Sequence, residues 1–405
     1  MLSGVIVVEA TDTPAAAFAT AMAADFGATV IACEPAPGGS GLRRLGPAPV
    51  RQVWWPVIAR NKLSIAIDPA HARAGEVIGR LAARADVIAR DDCPLGRALQ
   101  AAMGDAPAAV DMHLYPPGSD RPDLWPWSTR PEFAAAASGM LALTGLADGA
   151  AVQPEMPLAD YTAGMLALSL ALAELRAARR ERRAPAPVPL GLHEALHRMN
   201  EWQLPVAAAR GAPERRNGNR FPMNANIGNV FRTRDGKLLT ISAATPSVAD
   251  RLLEMIGGPA LRDDPRFRTP ADRRRHMDEL DAVIAQWMAR HDAEEAMRLV
   301  RENDVVAGPI CGAEELAFHP HLAARGDVVR LPDGSDAGLP MPAALPFSLP
   351  APGRVRHIGP AVGADADAVL ALLGFDSTER RALRRDGVLG SGPTTPSTTS
   401  KGDDS

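Results

Sequence analysis

Residues 5–34, VIVVEATDTPAAAFATAMAADFGATVIACE, predict a strand, a helix and a second strand in immediate succession. The run 5–10 is short, apolar and β-branched, which is typical of a buried strand. An alanine-rich helix over 15–27 follows, with Gly27 placed to end it, and a second buried strand is predicted over 28–34. This spacing favours two parallel neighbours in one sheet, with the helix packed across them.

The same alternation continues outward from this unit. Residues 62–69 and 86–90 predict a third and a fourth strand, and a helix is predicted over 75–85. We therefore expect a large, Rossmann-like α/β domain built on a parallel sheet. The turn after the first strand is ATDTPAAAF, which lacks the G-x-G-x-x-G pattern, and no GxxxxGK[ST] loop occurs. Both absences argue against a dinucleotide-dependent enzyme of that type and against a P-loop NTPase.

Composition indicates a globular protein of two domains. The chain has 405 residues, 46% hydrophobic and 23% charged, with a formal net charge of −4. Arginine is spread along the chain, so nothing favours nucleic-acid binding. No uninterrupted apolar run reaches about 18 residues, which argues against a membrane span. Cys33, Cys93 and Cys311 lie far apart without metal-ligand spacing, a pattern that suits a reducing cytoplasm.

The character of the sequence changes after residue 189. Residues 183–189, RAPAPVP, resemble a linker, and residues 229–243 predict a β-hairpin that turns at Arg234-Asp235-Gly236. Amphipathic helices follow, so a smaller α+β domain is expected. The final residues are polar and low in complexity, which predicts disorder. The predicted segments are 1–189 for the large domain, 190–224 for linker helices, 225–330 for the small domain and 390–405 for the tail.

Asp160 is the candidate for chemistry. It lies in PEMPLADYTAGMLALSL, residues 154–170, where a carboxylate precedes a long apolar helix predicted from about Tyr161 to Arg182. An aspartate before a helix can cap its free N–H groups and complement its dipole. A carboxylate in such a place can also act as a nucleophile. The stretch alone leaves both hypotheses open.

Histidine patterns invite a metal hypothesis, which we weigh and set aside. His193 to His197 match H-E-x-x-H, with both histidines on one face of a predicted helix. A zinc protease needs a third ligand, and the next candidates are Glu201 and the distant His276. His319 and His321 are separated by one residue, a poor geometry for two ligands. We expect neither a bound metal nor another cofactor.

An ordered series of segments covers nearly the whole chain up to residue 389. It comprises GATVIACEP, ARNKLSIAID, ADVIARD, AAAASGMLALTG, MPLADYTAG, IGNVFRTRDGKLLTISA, DDPRFRTPADR, ENDVVAGPI, HPHLAARGDVV and LLGFDSTERRALRRDGVL. In this order and spacing, the series resembles the family III CoA-transferases. That group includes the formyl-CoA and carnitine-CoA transferases and the 2-methylacyl-CoA racemases.

The resemblance implies a fold, an assembly and a mechanism. Residues 331–389 would return to the large domain, and two chains would interlock as a homodimer. Asp160 would attack an acyl-CoA thioester, and an aspartyl-CoA thioester would then form on it. A carboxylic acid would accept the CoA. The racemase branch uses a histidine where this chain has Arg130, so transfer is favoured over racemisation.

The likeness also marks the expected contacts with CoA and their departures. Arg130 matches a basic position of the family, and Arg97, Arg43 and Arg44 are further candidates for the phosphates. The loop usually written E-N-F-x-P-G is here Arg90 to Leu95, with acidic Asp91 and Asp92. Ala70 replaces a lysine often used on phosphate. The competing hypothesis is therefore a non-catalytic subunit that pairs with an active homologue.

Overall fold

Six parallel strands form one sheet, and the first predicted strand lies near its middle. The computed structural model describes residues 1–47, 50–104, 108–125, 129–220, 227–346 and 350–390, with the backbone alone for 50–52. The strands of this sheet are β1 Ile6–Ala10, β2 Thr29–Pro35, β3 Leu63–Ile67, β4 Val87–Arg90, β5 Val110–Tyr115 and β6 Val188–Gly191. Their order is β3-β2-β1-β4-β5-β6, and each neighbouring pair is parallel. The predicted α/β architecture is confirmed.

Helices connect these strands and build much of the remaining chain. In chain order they are α1 Pro14–Asp25, α2 Val50–Ile58, α3 Ala74–Arg84, α4 Pro94–Met103, α5 Ala134–Ala137, α6 Met140–Leu143, α7 Leu158–Glu181, α8 Glu194–Met199, α9 Gln203–Arg210, α10 Pro246–Arg262, α11 Pro270–Arg275, α12 Met277–Met288, α13 Ala293–Glu302, α14 Ala313–Ala317, α15 Pro320–Arg325, α16 Ala366–Leu372 and α17 Ser377–Arg385. The other strands are β7 Ile227–Arg232, β8 Leu238–Ala243, β9 Val306–Pro309, β10 Val328–Leu331 and β11 Leu339–Pro342.

The strand order reverses between β1 and β4, and ligands of open parallel sheets bind beyond the carboxyl ends of the strands at such a reversal. The loops that leave β1 and β4 are tied together there. Thr11 Oγ1 and the backbone N–H of Asp12 donate to one carboxylate oxygen of Asp91, at 2.9 and 2.8 Å. Helix α1 begins directly after this junction, so its free N–H groups lie at the same edge of the sheet.

The two faces of β1 show how the sheet is covered. Val8 and Ala10 point to a core that also contains residues of α3, α4, α16 and α17. Glu9, between them, points to the opposite face, where its carboxylate lies 2.7 Å from the buried ammonium of Lys62 and accepts from Thr20 of α1. Removing either partner of this buried pair would leave an uncompensated charge. Because Thr20 of α1 also bonds to Glu9, the pair ties α1 to the sheet.

The C-terminal part of the chain packs against β3 within the first of two compact units. This unit comprises residues 1–140, 154–205 and the chain from residue 320. The Asp365 carboxylate accepts from the N–H of Ser64 at 2.9 Å, and the N–H of Gly390 donates to the Ala66 carbonyl at 3.1 Å. Asn61 donates to the Arg354 carbonyl at 2.8 Å. The segment ARNKLSIAID therefore supplies both strand β3 and the contacts that hold the C-terminal part of the chain.

Residues 141–153 and 206–319 form the second unit. Strands β7, β8 and β9 make an antiparallel sheet in that order, with a core shared by α10, α12 and α13. β7 and β8 are the predicted hairpin. Its turn closes where the N–H of Thr233 donates to Lys237 at 2.9 Å, and Gly236 has a φ of 83°, a value that favours glycine.

Three further predictions can be compared with the structure. The stretch 183–189 is not simply a linker, because β6 begins at Val188; Pro189 is tolerated there because β6 is an edge strand. Gly390 belongs to the fold, whereas residues 391–405 of the predicted tail lie outside the described residues. The chain passes between the two units at residues 140, 153, 205 and 319, so residues 141–153 of the predicted large domain lie in the second unit. The boundaries of 189, 224 and 330 stay a prediction.

Helix α7 is long and apolar enough to cross a membrane by length and composition alone. Its side chains at Ala163, Ala167 and Ala171 are fully buried, and the helix packs on α1, β5 and β6. One such helix, with 44% of its apolar stretch buried, is weak evidence for a membrane span.

Candidate active site

Asp160 is the third residue of α7 and does not cap it. The N-cap position is Pro157, which has no side-chain hydrogen bond to offer, so the N-cap interpretation is wrong. The helix begins at Leu158 and takes Asp160 into its first turn. The carboxylate therefore lies at the positive end of the helix dipole, close to its own backbone N–H in the first turn.

Helices α1 and α7 approach each other closely at Gly164. A Cβ atom on Gly164 would lie 2.3 Å from the carbonyl oxygen of Ala15, so a larger residue would push the helices apart. Residues four apart lie on one face of a helix, so the contact that Gly164 permits also brings the start of α1 towards Asp160. The spacing of four residues between Asp160 and Gly164 thus has a physical basis. It places the carboxylate against the N-terminus of a second helix, α1.

Burial dominates the electrostatics of Asp160 and raises the pKa of its carboxyl to about 6. The backbone N–H groups of Asp160 and Ala15 act in the opposite sense, and the negative charge of Glu132 adds to the rise. Oδ1 is buried and has no hydrogen-bond partner among the residues that the structure describes. The carboxylate therefore keeps one oxygen free in a poorly hydrated place, as a nucleophile requires.

Three aromatic side chains stack into an aromatic wall around Tyr161, the residue that follows Asp160 in α7. Tyr161 stacks on Phe18 of α1, with ring centroids 4.2 Å apart and planes at 14°. Trp54 of α2 continues the stack, 6.3 Å from Tyr161 and at 18°. Burial raises the pKa of Tyr161 to about 12, and the Asp160 charge contributes to this rise. The Tyr161 phenol is therefore neutral at physiological pH.

Arg43, predicted as a phosphate contact, is occupied by other groups. Its guanidinium lies 2.5 and 2.7 Å from the two carboxylate oxygens of Glu34 and donates to the Pro360 carbonyl at 3.0 Å. It also lies over the ring of Trp55, 3.8 Å from the centroid. These contacts favour a structural role that joins the loop after β2 to the C-terminal segment.

The other predicted arginines are exposed and more loosely held. Arg44 donates to the Gly39 carbonyl at 3.5 Å, and Arg97 to the carbonyl of Asp92. Arg130 pairs with Glu132 at 3.1 Å, and both side chains are about two-thirds exposed, at 69% and 63%. Exposed pairs of this kind exchange readily for a phosphate, so all three remain predicted contacts with CoA.

Asp91 and Asp92 differ in where their charges point. Asp91 is buried, and besides Thr11 and Asp12 its carboxylate accepts from the N–H of Cys93 at 2.9 Å. It holds the loop together and does not face solvent. Asp92 is exposed and lies 3.0 Å from Nε2 of His113. The loop from Arg90 to Leu95 departs from the family pattern through these two acids, and of the two only Asp92 is placed to repel an approaching phosphate. Ala70, in the loop after β3, donates its backbone N–H to Asp68 at 3.0 Å.

Neither histidine pattern has a third metal ligand among the described residues. His193 precedes α8, its Nδ1 is buried without a hydrogen bond to any described residue, and burial lowers its pKa. The carboxylate of Glu194 accepts from the N–H of Gly191 at 2.7 Å, so it is held locally. Within the described ranges, no three His, Cys, Asp or Glu side chains are grouped to hold a metal ion. The expectation of no bound metal stays a prediction.

Phe18 and Trp54, which stack on Tyr161, and Glu132, whose charge acts on Asp160, were not predicted, because the packing of separate elements brings them there. Phe18 is the one aromatic residue of α1, and Trp54 is one of six tryptophans in the chain. An isolated aromatic residue in an alanine-rich helix is a usable signal, since it marks a place where the helix meets something larger than a methyl group.

Comparison with known proteins gives consistent relatives. The profile of CoA-transferase family III matches residues 2–95 and 125–366. The succinyl-CoA–D-citramalate CoA-transferase of Chloroflexus aurantiacus is 30% identical over 384 residues, which cover 92% of this chain and 94% of that protein. The succinate–glutarate CoA-transferase of Agrobacterium fabrum is 26% identical over 396 residues, 94% of this chain and 97% of that protein.

A solved structure shares the fold. The crystal structure of a CaiB/BaiF family protein from Brucella suis matches with a TM-score of 0.78 and 22% identity. The match covers 92% of this chain and 99% of that one. At this level of identity the likeness concerns architecture, and the sequence relatives carry the information on activity.

Proposed function

The chain belongs to CoA-transferase family III, and we propose that it moves CoA between an acyl-CoA and a carboxylic acid through a thioester on Asp160. The observation that carries this proposal is the Asp160 carboxylate itself: half-buried, with a free Oδ1, beside the start of α1. A covalent relay through this group divides one difficult transfer into easier steps.

The relay proceeds through two kinds of intermediate. An Asp160 oxygen attacks the thioester carbonyl, which forms a mixed anhydride and releases CoA as its thiolate. The thiolate attacks the Asp160 carbonyl, giving aspartyl-CoA and the free donor acid. The acceptor carboxylate then attacks aspartyl-CoA, which forms a second anhydride and releases the thiolate again. The thiolate finally attacks the acceptor's acyl carbon, so the acceptor leaves as acyl-CoA and Asp160 is regenerated.

The geometry around Asp160 suits each step. A carboxyl with a pKa near 6 is mostly ionised above neutral pH, yet it is more basic than an ordinary aspartate. Partial burial removes hydration that would otherwise blunt its attack. The N–H groups at the start of α1 offer stabilisation to negative charge as it develops on the reacting carbonyl.

The relatives suggest where to look for substrates. The curated names describe transfer from succinyl-CoA to D-citramalate or L-malate, between succinate and glutarate, and from acetyl-CoA to oxalate. All of these acceptors are dicarboxylic acids. We extend this class to the present chain, with succinyl-CoA as the first donor to test.

For the assembly we propose an interlocked homodimer in the cytoplasm. A pairing with a homologous subunit is the alternative, since one relative is described as having α and β subunits. In that case the chain could be a non-catalytic partner. Binding of free CoA, measured by calorimetry, separates these hypotheses, because a degenerate subunit would bind none. Arg44, Arg97 and Arg130 are the side chains we assign to the CoA phosphates.

The decisive experiment replaces Asp160 by asparagine. Asp160→Asn keeps the size of the side chain but removes the nucleophilic oxygen, so transfer should fall by about 10³-fold or more. Its melting temperature at pH 7.5 should stay equal or rise, because a carboxyl whose pKa is raised by burial destabilises the native state once ionised. The matched control is Glu155→Gln, which removes an exposed charge shortly before α7.

A direct readout complements the kinetics. The wild type incubated with succinyl-CoA should carry a hydroxylamine-sensitive adduct on the peptide that contains Asp160, detected by mass spectrometry. The Asn variant should carry none. Full transfer activity in Asp160→Asn would refute the mechanism. Failure of the wild type to bind either CoA or acyl-CoA would instead favour the non-catalytic subunit.

A further inference from the structure

Two adjacent tryptophans on α2 differ in how their indole N–H groups are used. Trp55 is 5% exposed, and its Nε1–H donates to the Pro360 carbonyl at 2.8 Å. The Nε1 of Trp54 is also buried, but it has no hydrogen-bond acceptor among the residues that the structure describes. The neighbour shows that α2 can supply a buried indole with a partner, so the lack of one at Trp54 needs an explanation.

The indole N–H of Trp54 belongs to the aromatic wall that Trp54 forms with Tyr161 and Phe18. Trp54, Tyr161 and Phe18 stack in sequence, and the backbone of Tyr161 follows directly on Asp160. The wall therefore contains a buried donor without an acceptor, and the adjacent residue contains a buried oxygen without a donor. Unpaired groups of complementary kind within one region are typical of a site that a polar ligand completes.

The energetic cost of this arrangement supports the same conclusion. A buried N–H without a partner destabilises a folded protein, because the group has given up its hydrogen bond to water and gained none in return. Phenylalanine at this position would keep the stacked ring and remove that cost. The tryptophan therefore lowers stability unless an acceptor reaches its N–H, and none of the described residues supplies one.

We propose that Trp54 is a specificity-determining residue: its indole N–H donates to an oxygen at the far end of the acyl chain while the acyl group reacts at Asp160. This inference rests on the proposed CoA transfer. Trp54 stacks on the ring of Tyr161, the residue that follows Asp160 in α7, so we assign the donor to an atom several bonds from the reacting carbonyl. It thus selects acyl groups with a second carboxylate over plain alkyl chains of equal length.

The test compares Trp54→Phe with Trp55→Phe, using succinyl-CoA and butyryl-CoA as donors. In Trp54→Phe, kcat/KM for succinyl-CoA should fall by about 10- to 100-fold, with butyryl-CoA nearly unaffected, because a polar site loses its discriminating hydrogen bond. Its melting temperature should stay equal or rise. In Trp55→Phe the melting temperature should drop, since the Pro360 carbonyl keeps only its bond from Arg43 and loses the one from Trp55, while the ratio of kcat/KM between succinyl-CoA and butyryl-CoA stays constant.

A second measurement does not depend on turnover. The indole ¹⁵N–¹H resonance that disappears in Trp54→Phe should shift when the wild type is saturated with succinate, and it should stay in place with butyrate. An unchanged resonance with bound succinate, or an unchanged donor ratio in Trp54→Phe, would overturn the assignment. The Asp160 adduct keeps the two proposals apart: if it forms normally while the Trp54 effects are missing, this inference alone fails.

Discussion

Asp160 combines two demands that oppose each other. A nucleophile must be ionised, yet the burial that strips its hydration also raises its pKa to about 6. The protein moderates the conflict with N–H groups from two helix starts, those of Asp160 and Ala15. The result is a carboxylate that is charged at neutral pH and only weakly solvated.

This balance predicts the pH dependence of transfer. Because the ionised form attacks, kcat/KM should rise from pH 5 and level off above pH 7, with a midpoint near 6 rather than near the usual value of an aspartate. Glu132→Gln removes a like charge, so its midpoint should move to lower pH. The shift should be smaller than the effect of burial, which is the larger cause.

The control for this profile is Glu155→Gln, whose midpoint should match the wild type. A steady-state profile from pH 4.5 to 8 with succinyl-CoA provides the measurement. A rate that stays constant down to pH 4.5 would contradict a buried carboxylate as the attacking group.

Among individual residues, the sequence and its family resemblance made Asp160 the candidate nucleophile but did not indicate its surroundings. Asp91 and Asp92 looked equivalent in the sequence, and only the fold turns one inward and the other outward. Arg43 looked like a free cation, although Glu34 occupies it. Charges far apart in the chain find their partners through tertiary packing, which no local pattern contains.

The contact between α1 and α7 makes a prediction about glycine. Gly164→Ala places a methyl group 2.3 Å from the Ala15 carbonyl oxygen, so the helices must separate. We expect a loss of about 1–3 kcal/mol in the free energy of unfolding, typical of an overpacked contact. Transfer activity should fall as well, because the N–H groups of α1 move away from Asp160.

Gly79→Ala in α3 is the matched control. Nothing lies within 4 Å of a Cβ atom at Gly79, so alanine should stabilise that helix by about 0.5–1 kcal/mol. Urea denaturation of both variants measures the two effects. If Gly164→Ala proves as stable as Gly79→Ala, the close packing of α1 on α7 is not as described.

Elements with strong patterns were predicted well, and those stabilised by their position were not. Strands β1 to β4 lie within two residues of their predicted limits, because each is short and rich in apolar, mostly β-branched residues. Strand β6 was taken for part of a linker, since Pro189 breaks the pattern of a strand. Its place at the edge of the sheet removes the need for that N–H.

For the whole molecule, the order of motifs predicted the family and the return of the C-terminal segment, whereas composition alone predicted only two domains. The return is held by contacts between residues about 300 positions apart, such as the N–H of Arg356 donating to Asn61 at 2.7 Å. Such pairs cannot be derived from local periodicity. The dimer stays a prediction, to be measured by light scattering.

The end of the chain provides the last test. Val388 is fully buried, its carbonyl accepts from the N–H of Asp68 at 3.0 Å, and Leu389 and Gly390 continue alongside β3. A protein ending at residue 386 loses this burial and these backbone bonds, so its free energy of unfolding should fall by about 3–5 kcal/mol. A protein ending at residue 391 keeps them all and should retain the melting temperature and the light-scattering mass of the full chain. Equal stability of the two truncations would show that the C-terminal segment does not hold β3 as described, whereas unfolding of the longer one would assign a structural role to the tail.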